Sequence, residues 1–414
     1  MNPMEQTLTH ELACLPDRAM AALPRATRMA LEILQSLQGG GISVELPDGT
    51  MACAGQGQVL AHWRIHDPGV FDEILARGDI GLSETWMDGR WETDDLTGFL
   101  RMLATNRAQL GQALYGRRWR LIGHRLAHLL RANTRLGARR NIEAHYDLGN
   151  AFYALWLDPT MTYSAAVFGA EDEDLETAQR RKYRRILDRL GAAPGQTILE
   201  VGCGWGGFAE VAATEYGCHV LGLTLSPAQL EWARARAQQG GWGDRAEFAL
   251  CDYRDARGQY DHVVSIEMIE AVGEAWWPTY FSRLAALLRP GGRCVLQAIT
   301  ISDALFGRYR RGTDFIQQYV FPGGMLPSPR TLQEQAGRAG LALCGEFSFG
   351  QDYARTLRQW HARFNERRDA VQALGFDERF HRMWRFYLAY CEAGFAAGSI
   401  DVHHVELRHH EVAP

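Results

Sequence analysis

The sequence predicts an α/β protein with a doubly wound, seven-stranded, Rossmann-like sheet and a smaller N-terminal α+β domain. Three observations support this prediction. The chain of 414 residues is long enough for two domains with separate cores. Short apolar runs alternate with helical stretches in its second half, which is typical of a mainly parallel sheet. A glycine-rich turn joins the first of these apolar runs to the helix that follows it.

The larger predicted domain covers residues 141–414 and contains all seven strands. The predicted strands are 197–201, 218–223, 246–249, 261–266, 293–299, 341–349 and 400–408, and the predicted helices are 174–190, 206–216, 226–239, 274–288, 353–370 and 377–396. The smaller domain covers residues 1–115. Its alternating stretch at 42–66 and a helix at 70–76 predict an α+β unit without obvious chemistry of its own.

Residues 116–140 differ from both domains because they are rich in arginine and contain no Asp or Glu. The arginines are Arg117, Arg118, Arg120, Arg125, Arg131, Arg135, Arg139 and Arg140. Apolar residues such as Trp119, Leu126 and Leu129 lie on the other side at helical spacing, so we predict a basic amphipathic linker helix. Such a helix suits a surface of anionic lipid headgroups. The alternative is an ordinary helix packed on the next domain with a solvated basic face.

The composition excludes several classes of protein. A net charge of −5 gives no bulk attraction to nucleic acid, so we expect no nucleic-acid partner. Eight scattered cysteines without a Cys-x-x-Cys pair predict reduced thiols and no metal site. No stretch reaches the ~18 apolar residues of a membrane span. The acidic residues near the N-terminus do not fit a signal peptide. We therefore expect a cytoplasmic protein.

Gly202, Gly204 and Gly206 follow the first strand of the large sheet in the pattern Gly-x-Gly-x-Gly-Gly. This pattern is neither the six-residue dinucleotide fingerprint nor a phosphate loop. The glycines let the backbone turn tightly and approach a ligand closely. Glu200 lies in the strand just before them, where S-adenosylmethionine (SAM) sites use an acidic residue near the methionine end. The stretch therefore predicts a SAM-type cofactor site.

Polar residues at the ends of the next two strands are candidates for the ribose and the adenine. Thr224 and Gln229 could bind the ribose hydroxyls, since no acidic residue is present there. The run Ser226-x-x-Gln229 with Pro227 also predicts a helix capping box, and both interpretations can hold together. Asp252, after the third strand, could accept a hydrogen bond from the adenine amino group. A surface turn aspartate is the alternative.

Glu270 follows the fourth strand. In open parallel sheets the ligand lies beyond the carboxyl ends of the strands. We therefore place Glu270 near the reacting centre, as a candidate acid, base or orienting group. The alternative is a solvated loop carboxylate.

Taken together, these stretches resemble the cyclopropane-fatty-acyl-phospholipid synthase family and its SAM-dependent fatty-acid methyltransferase relatives. The matching stretches are His145-Tyr146-Asp147-Leu148, Met161-Thr162-Tyr163-Ser164, Glu200 to Gly207, Thr224-Leu225-Ser226, Glu267 to Gly273, and Phe315 to Gly324. They span about residues 141–370, and the N-terminal domain resembles the family's more loosely. The resemblance implies the SAM-dependent methyltransferase fold.

The resemblance also implies an activity, a substrate and partners. SAM donates its methyl group to a cis double bond in an acyl chain of a membrane phospholipid, and loss of a proton from the new methyl group closes a cyclopropane ring. The implied setting is the inner face of the membrane, with peripheral association, and the family often forms homodimers. Implied cofactor residues, besides those above, are Tyr146, Tyr163, Ser164, Tyr253 and Ile266.

Aromatic faces near the cation formed in this reaction would stabilise it. Candidates are Tyr163, Tyr319, Phe321, Tyr353, Trp360, Phe364, Trp384, Phe386, Tyr387 and Tyr390. We include Tyr319 and Tyr353 among the catalytic candidates. Most of the later aromatic residues lie at helical spacing and are expected to belong to the core.

The base in the resembling family is a bound bicarbonate, held by a cysteine, a glutamate, a histidine, a tyrosine and a backbone N–H group. Glu270 and Tyr353 match the glutamate and the tyrosine. The cysteine position carries Ala165 and the histidine position carries Gln297, which can still donate a hydrogen bond but carries no charge. These departures question bicarbonate as a cofactor. They suggest an alternative product, a methylene- or methyl-branched chain.

Two hypotheses from other classes remain open at this point. A methyltransferase for a small polar acceptor would not need the arginine-rich helix or the segment 315–324. A lipid-surface binding protein without catalysis would not need the glycine loop, Thr224, Gln229, Asp252 and Glu270. Binding of SAM and methyl transfer into lipid would separate the three.

Overall fold

The computed structural model describes residues 17–107, 109–110 and 148–410. The chain divides into two compact units. One unit comprises Met1–His124 and Phe376–Ala397, and the other comprises Arg125–Gly375 and Gly398–Pro414. The arginine-rich segment 116–140 and Tyr146 lie outside the described residues, so the predictions for them stay predictions.

The first unit is a small α+β unit around a four-stranded sheet. Its strands are β1 (Gly40–Glu45), β2 (Met51–Gln56), β3 (Val59–Ile65) and β4 (Trp91–Thr93), in the order β2-β1-β3-β4. Its helices are Asp17–Ala22, Arg25–Leu34, Val70–Arg77, Asp79–Met87, Leu96–Thr105 and Glu378–Ala396. Buried aromatic side chains hold it together, with the ring of Trp63 lying 5.5 Å from that of Phe71 and 5.8 Å from that of Trp91.

Helix Glu378–Ala396 belongs to this first unit, although the sequence assigns it to the range 141–414. The indole N–H of Trp86 donates to the carbonyl oxygen of Arg382 at 2.9 Å, and a guanidinium N–H of Arg382 donates to the carbonyl oxygen of Trp91 at 3.0 Å. Tyr390 donates to Asp79 at 3.0 Å. The division of the chain therefore differs from a simple succession of domains, because this helix buries its aromatic face against elements from residues 79–105.

The second unit contains the predicted seven-stranded sheet. Its strands are β5 (Thr197–Val201), β6 (His219–Thr224), β7 (Ala246–Leu250), β8 (Tyr260–Ile266), β9 (Leu288–Ile301), β10 (Leu341–Ser348) and β11 (Ile400–His409). The order across the sheet is β10-β11-β9-β8-β5-β6-β7. Strands β5 to β9 pair in parallel, and β11 runs antiparallel to both β9 and β10.

Helices cover both faces of this sheet. They are Asn150–Ala154, Leu175–Leu190, Gly207–Thr214, Pro227–Gln239, Trp277–Leu287, Asp303–Tyr309, Pro329–Arg338, Gly350–Glu366 and Arg368–Ala373, with short 3₁₀ turns at Ile269–Ala271 and Glu274–Trp276 and a π-helical turn at Ile316–Val320. Alternate residues of β5 enter different cores: Ile198 packs with one set of helices, and Leu199 and Val201 pack with the other. The doubly wound fold predicted from the sequence is confirmed.

The strand order brings the ends of several strands to one edge of the sheet. The carboxyl ends of β5, β6, β7, β8 and β9 meet at this edge, because these strands are parallel. Ligand sites in open α/β sheets lie at such an edge. Within the described ranges, no helix is long and apolar enough to cross a membrane. Within the same ranges, no group of three or more His, Cys, Asp or Glu side chains is arranged to hold a metal ion.

Candidate functional site

The glycine loop after β5 forms one side of the candidate site. Gly202, Gly204 and Gly206 all have positive φ angles, of 84°, 52° and 82°. A Cβ atom on Gly204 would meet no atom within 4 Å, so this residue faces open space. Helix Gly207–Thr214 begins directly after the loop, with its first N–H groups at this edge of the sheet. The loop therefore offers a close backbone approach to a ligand.

Glu200 lies directly below this loop and is almost completely buried, with 2% of its surface exposed. Burial raises the pKa of its carboxyl group well above the ordinary value, and the charge of Lys182 opposes that shift. Its Oε2 atom is buried without a hydrogen-bond partner in the described part of the chain. A buried acceptor of this kind is costly without a donor. It fits the amino group at the methionine end of SAM.

The residues after β6 form hydrogen bonds with one another. Ser226 caps helix Pro227–Gln239 by accepting a hydrogen bond from the backbone N–H of Gln229, as the sequence predicts. The hydroxyl group of Thr224 donates to Oε1 of Gln229 at 2.8 Å. The Gln229 side chain is therefore held by Thr224 and does not complete the capping box. Both lie buried at the carboxyl end of β6, and their role toward the ribose stays a prediction.

Asp252 is paired with Arg254 after β7. Two guanidinium N–H groups of Arg254 donate to the two carboxylate oxygens of Asp252, at 2.8 and 2.5 Å. Its Oδ1 atom also accepts a hydrogen bond from the backbone N–H of Arg254 at 2.9 Å. Burial raises the pKa of the neighbouring Tyr253, whose ring packs at 5.4 Å from that of Tyr280. The adenine role of Asp252 remains a prediction.

Glu267 is the centre of the most connected part of the site. It follows Ile266, the last residue of β8. Its Oε1 atom accepts hydrogen bonds from the backbone N–H of Ala165 at 2.8 Å and from the side-chain amide of Gln297 at 2.7 Å. Its Oε2 atom accepts from the hydroxyl group of Tyr353 at 2.7 Å. Three predicted positions thus converge on a carboxylate that the sequence analysis did not single out.

Two charged residues of the site were missed, and each carried a signal. Glu267 comes immediately after the last residue of an apolar strand, at the edge where ligands bind. Lys182 lies on the buried stripe of helix Leu175–Leu190, at the spacing of Ala178, Gln179 and Ile186, where an apolar residue is expected. Its Nζ atom donates to Oγ of Ser164 at 2.6 Å. A charged residue on an apolar stripe can mark a functional site.

The surroundings of Glu267 and Glu270 shift the pKa values of their carboxyl groups in different ways. Burial and the negative charge of Glu267 raise the pKa of Glu270 to about 8. Burial also raises the pKa of Glu267, but hydrogen bonds from Ala165, Tyr353 and Gln297 and the charge of Lys182 act in the opposite direction. At neutral pH, Glu270 is therefore mainly neutral, and Glu267 is the better candidate for an ionised base.

Glu270 is held by the main chain of β9. Its Oε1 atom accepts a hydrogen bond from the backbone N–H of Ile299 at 2.5 Å, while its Oε2 atom is buried without a partner in the described residues. Protein atoms surround Glu267 and Glu270 densely, yet both residues keep part of their surface accessible. Both carboxyl groups thus lie in a largely buried part of the site beyond the carboxyl end of β8.

Gln297 connects this group to the antiparallel strand β11. Its side-chain oxygen lies 2.9 Å from Nε2 of His404, which is completely buried. Burial lowers the pKa of His404 well below its ordinary value, so the ring is neutral. Because the Gln297 amide nitrogen donates to Glu267, its oxygen is the acceptor, and His404 carries its proton on Nε2. The Gln297 side chain is thus fixed from both ends.

A continuous series of aromatic rings runs from the glycine loop to Tyr353. The ring of Trp205 in the loop lies 5.1 Å from that of Tyr153, which lies 5.4 Å from Tyr163. The ring of Tyr163 lies 5.4 Å from Trp360, and Trp360 lies 6.1 Å from Tyr353. Tyr163 keeps part of its surface accessible. Of the other aromatic candidates, Trp384, Phe386 and Tyr387 are buried in the core of the first unit, as expected, and Tyr390 is half-buried there.

Tyr319 lies in the π-helical turn Ile316–Val320 and stacks on Phe315 at 5.7 Å. A single π-helical turn is often found at functional sites. The turn is fixed by Gln317, whose buried amide donates to the carbonyl oxygen of Gly324 at 3.0 Å. The backbone N–H of Met325, just beyond, donates to the carbonyl oxygen of Glu270 at 2.8 Å. This segment therefore adjoins Glu270, and a catalytic role for Tyr319 itself stays a prediction.

Comparisons with known proteins identify the family of the chain. The family model described as mycolic acid cyclopropane synthetase matches residues 134–405. A tuberculostearic acid methyltransferase of Mycobacterium tuberculosis is 44% identical over 82% of this chain and 81% of its own length. The cyclopropane-fatty-acyl-phospholipid synthase of Escherichia coli K12 is 34% identical over 84% of this chain and 87% of its own length.

A solved structure gives the same result for the fold. The crystal structure of a mycolic acid cyclopropane synthase, complexed with S-adenosylhomocysteine (SAH) and CTAB, covers 65% of this chain and 97% of its own, with 33% identity and a TM-score of 0.62. In this protein, the buried Glu200 oxygen that has no hydrogen-bond partner among the described residues and the open space at Gly204 fit SAM or SAH. The protein is a SAM-dependent C-methyltransferase, and the chain belongs to the mycolic acid cyclopropane synthetase family.

Proposed function

We propose that the protein transfers the methyl group of SAM to a double-bond carbon of an unsaturated fatty acyl chain carried by a membrane phospholipid. The observation that supports this most directly is the series of aromatic rings from Trp205 to Tyr353. An alkene that gains a methyl cation becomes a carbocation, and aromatic faces stabilise cations in a dry site. A small polar acceptor would need a polar lining instead.

The product that we favour is a methylene-branched chain. The positions of Ala165 and Gln297 depart from the cyclopropane-forming pattern that the resemblance implies, and the 44% identical relative is named as a tuberculostearic acid methyltransferase and not as a cyclopropane synthase. A methylene branch requires a hydride shift to the cationic carbon and then loss of a proton from the added methyl group. Reduction of the methylene branch to a saturated methyl branch would need two electrons and two protons, and therefore a separate reductant.

Cyclopropane formation is the second candidate, and it was the first expectation from the sequence. The matching family description and the Escherichia coli relative both carry this activity in their names. The two outcomes share the methyl transfer and the loss of a proton from that methyl group. They differ in whether the hydride shift comes first.

The residues of the site divide into three tasks. When bound, SAM supplies an electrophilic methyl group. Glu200 and the glycine loop would hold its methionine end, with Tyr163 and Ser164 on the other side of the site. The aromatic rings exclude water and stabilise positive charge. Glu267, Glu270, Gln297 and Tyr353 form the polar end, where a proton can be held or moved.

Membrane association is part of the proposal. A phospholipid substrate favours the lipid-binding interpretation of the arginine-rich segment 116–140, because an anionic surface attracts a basic amphipathic helix. We therefore propose peripheral association with the inner face of the membrane. A homodimer would be consistent with the family but rests on the resemblance alone.

The test is incubation of the purified full chain with SAM carrying a fully deuterated methyl group and vesicles of dioleoyl phosphatidylglycerol. Both products retain two of the three methyl deuterium atoms, and the position of these atoms in an NMR spectrum of the released fatty acid distinguishes them. Deuterium at an olefinic CH2 supports the methylene product. Deuterium in a cyclopropane ring supports the second candidate, and unlabelled lipid would contradict both.

A further inference from the structure

We propose that Glu267 is the general base of the reaction, a carboxylate of the chain itself in the place where the family resemblance implies a bound bicarbonate. The inference rests on the proposed function, since it concerns the loss of a proton from a methylated acyl cation. It adds a residue that the sequence analysis did not assign and removes the need for a second small-molecule cofactor.

Three hydrogen-bond donors surround the Glu267 carboxylate. The resemblance places an anion among positions 165, 297 and 353. In the structure, the backbone N–H of Ala165, the amide of Gln297 and the hydroxyl group of Tyr353 all donate to the Glu267 carboxylate, at 2.7 to 2.8 Å. Donors of this kind stabilise a negative charge and fix its orientation. The anion at this point is therefore part of the chain.

The Glu267 carboxylate can accept a further hydrogen bond. An ionised carboxylate has about four acceptor positions. Three are used by Ala165, Gln297 and Tyr353, so about one remains for a proton of the substrate. Glu267 also keeps part of its surface accessible although protein atoms surround it densely. Its donors therefore do not enclose it completely.

Glu267 lies beside the glycine loop that follows β5. Val201 pairs with Ser265 in the sheet, so the glycine loop and the residues after Ile266 leave neighbouring strands side by side. A Cβ atom on Gly202 would lie only 2.8 Å from Cγ of Met268. The aromatic series reaches the same point through Tyr353. A base here lies between the cofactor loop and the rings that stabilise the cation.

The backbone of Glu267 supports a functional origin for this arrangement. Its φ angle is 48°, and Met161 is the only other non-glycine residue with a positive φ angle in the described ranges. A non-glycine residue in this region costs about 1 kcal/mol or more, and such strain clusters at functional sites. The strained backbone aims the side chain at Ala165, Gln297 and Tyr353.

The charged and titratable groups around Glu267 come from several elements. Lys182, Glu270 and Tyr353 act on Glu267 directly; Asp158 and Glu200 act on Lys182, and Arg185 acts on His404, which contacts Gln297. Burial lowers the pKa of Lys182 to about 7, and its protonated form favours the ionised form of Glu267. The raised pKa of Glu270 leaves that residue mainly neutral at pH 7, and the neutral His404 adds no charge. The hydrogen bonds from Ala165, Gln297 and Tyr353 therefore distinguish Glu267 from Glu270.

The proton balance is complete without another reactant. The methylated acyl chain carries one positive charge on carbon. A C–H bond of the added methyl group breaks, its electron pair forms the new carbon–carbon bond of the product, and the proton passes to Glu267. The chain becomes neutral and Glu267 becomes a neutral carboxylic acid. The proton then returns to solvent after the product leaves.

The experiment compares the wild-type full chain with Glu267→Gln and Glu267→Gly in buffer freed of carbon dioxide, with and without added sodium bicarbonate. Methylated lipid is measured on vesicles of dioleoyl phosphatidylglycerol. We expect a wild-type rate that does not respond to bicarbonate and a Glu267→Gln rate lower by about 10²- to 10⁴-fold, the usual contribution of a general base. Affinity for SAH, measured by calorimetry, should stay unchanged.

The Glu267→Gly variant tests whether added bicarbonate can replace the Glu267 carboxylate. Glycine accepts the positive φ angle and leaves the donors of Ala165, Gln297 and Tyr353 without their carboxylate. We expect a slow variant that bicarbonate accelerates, because the anion then enters the vacated position. Glu406→Gln is the matched control: Glu406 is also buried and hydrogen-bonded, to Arg189, but lies outside the site. It should retain both turnover and SAH affinity.

The outcomes separate this inference from the proposed function. A wild-type protein that methylates no lipid overturns the proposed function, and the inference with it. A wild-type protein that methylates lipid but requires bicarbonate overturns the inference alone. A Glu267→Gln variant that is as fast as the wild type also overturns the inference alone.

Discussion

The hydroxyl group of Tyr353 lies 2.7 Å from Oε2 of Glu267 and donates a hydrogen bond to it, across 86 positions of the chain. This contact joins the helix Gly350–Glu366 to the carboxyl end of β8. It also links the series of aromatic rings to the buried carboxylate, because Tyr353 packs against Trp360.

Tyr353→Phe should raise the pKa of Glu267, because it removes a donor that favours the ionised form. A hydrogen bond to a charged group contributes about 1.5–3 kcal/mol, which corresponds to about one to two pH units. The acidic limb of the pH–rate profile should therefore move to higher pH by roughly that amount. Tyr216→Phe is a suitable control, since Tyr216 donates to Asp188 at 2.6 Å outside the site. An unshifted acidic limb in Tyr353→Phe would contradict the role of this contact.

Glu270→Gln should become more stable relative to the wild type as the pH rises. The folded protein holds the Glu270 proton up to a pKa of about 8, whereas an unfolded glutamate releases it near 4.5. The stability contributed by the bound proton is complete below the lower value and is lost as the pH approaches 8. Denaturant unfolding at pH 5 and pH 8 measures the effect, which should be on the order of a few kcal/mol. A stability difference between the variant and the wild type that does not change with pH would show that the pKa of Glu270 is not raised.

Lys182→Met should make the affinity for SAH depend on pH. Methionine fits the buried stripe of helix Leu175–Leu190 but removes the charge that opposes the raised pKa of Glu200. Loss of this charge should raise the pKa of Glu200 further, so that its carboxyl group ionises less readily and binds an amino group more weakly. Calorimetry should show weak binding at neutral pH that strengthens as the pH rises. Affinity equal to that of the wild type across the range would separate Lys182 from the cofactor site.

Gly204→Val should abolish SAH binding, because its side chain would enter the open space at the loop. Gly191→Val provides the control. Gly191 also has a positive φ angle, of 70°, and open space around it, but it lies between helix Leu175–Leu190 and the amino end of β5. Both variants should lose about 1–2 kcal/mol of stability from the left-handed backbone. Only Gly204→Val should lose binding in calorimetry.

Replacing Arg117, Arg118, Arg120 and Arg125 with glutamine should weaken association with vesicles of dioleoyl phosphatidylglycerol. The loss should be largest at low salt, because salt screens the attraction between exposed charges. The same four positions changed to lysine keep the charge and should retain binding in a sedimentation assay. Equal binding by the glutamine variant would leave a purely structural role for this segment.

The sequence was most informative where a local pattern is tied to one geometry. The glycines after β5 and the cap at Ser226 are local, and the structure confirms their positions in the fold. The strand β9 shows the limit, since it begins at Leu288 and not at 293. Its early residues pair with β8 through an irregular register that includes a Gly-Gly pair, which propensity disfavours in a strand.

The charge states of the site were beyond the sequence for a different reason. Glu267 and Glu270 stand three positions apart and look alike in the sequence. Their difference arises from donors at Ala165, Gln297 and Tyr353, which are distant in the chain. Only the folded arrangement determines how the pKa of each carboxyl group is shifted.

Helix Glu378–Ala396 constrains how this protein can be made and divided. The chain leaves the second unit after Gly375, completes the first unit with this helix, and returns at Gly398 to form β11 between β9 and β10. Neither unit is therefore complete until a ribosome has translated the last tenth of the chain. A truncation that begins at residue 141 would strand an aromatic helix without its partners, so a soluble second unit should require a short linker in place of residues 376–397.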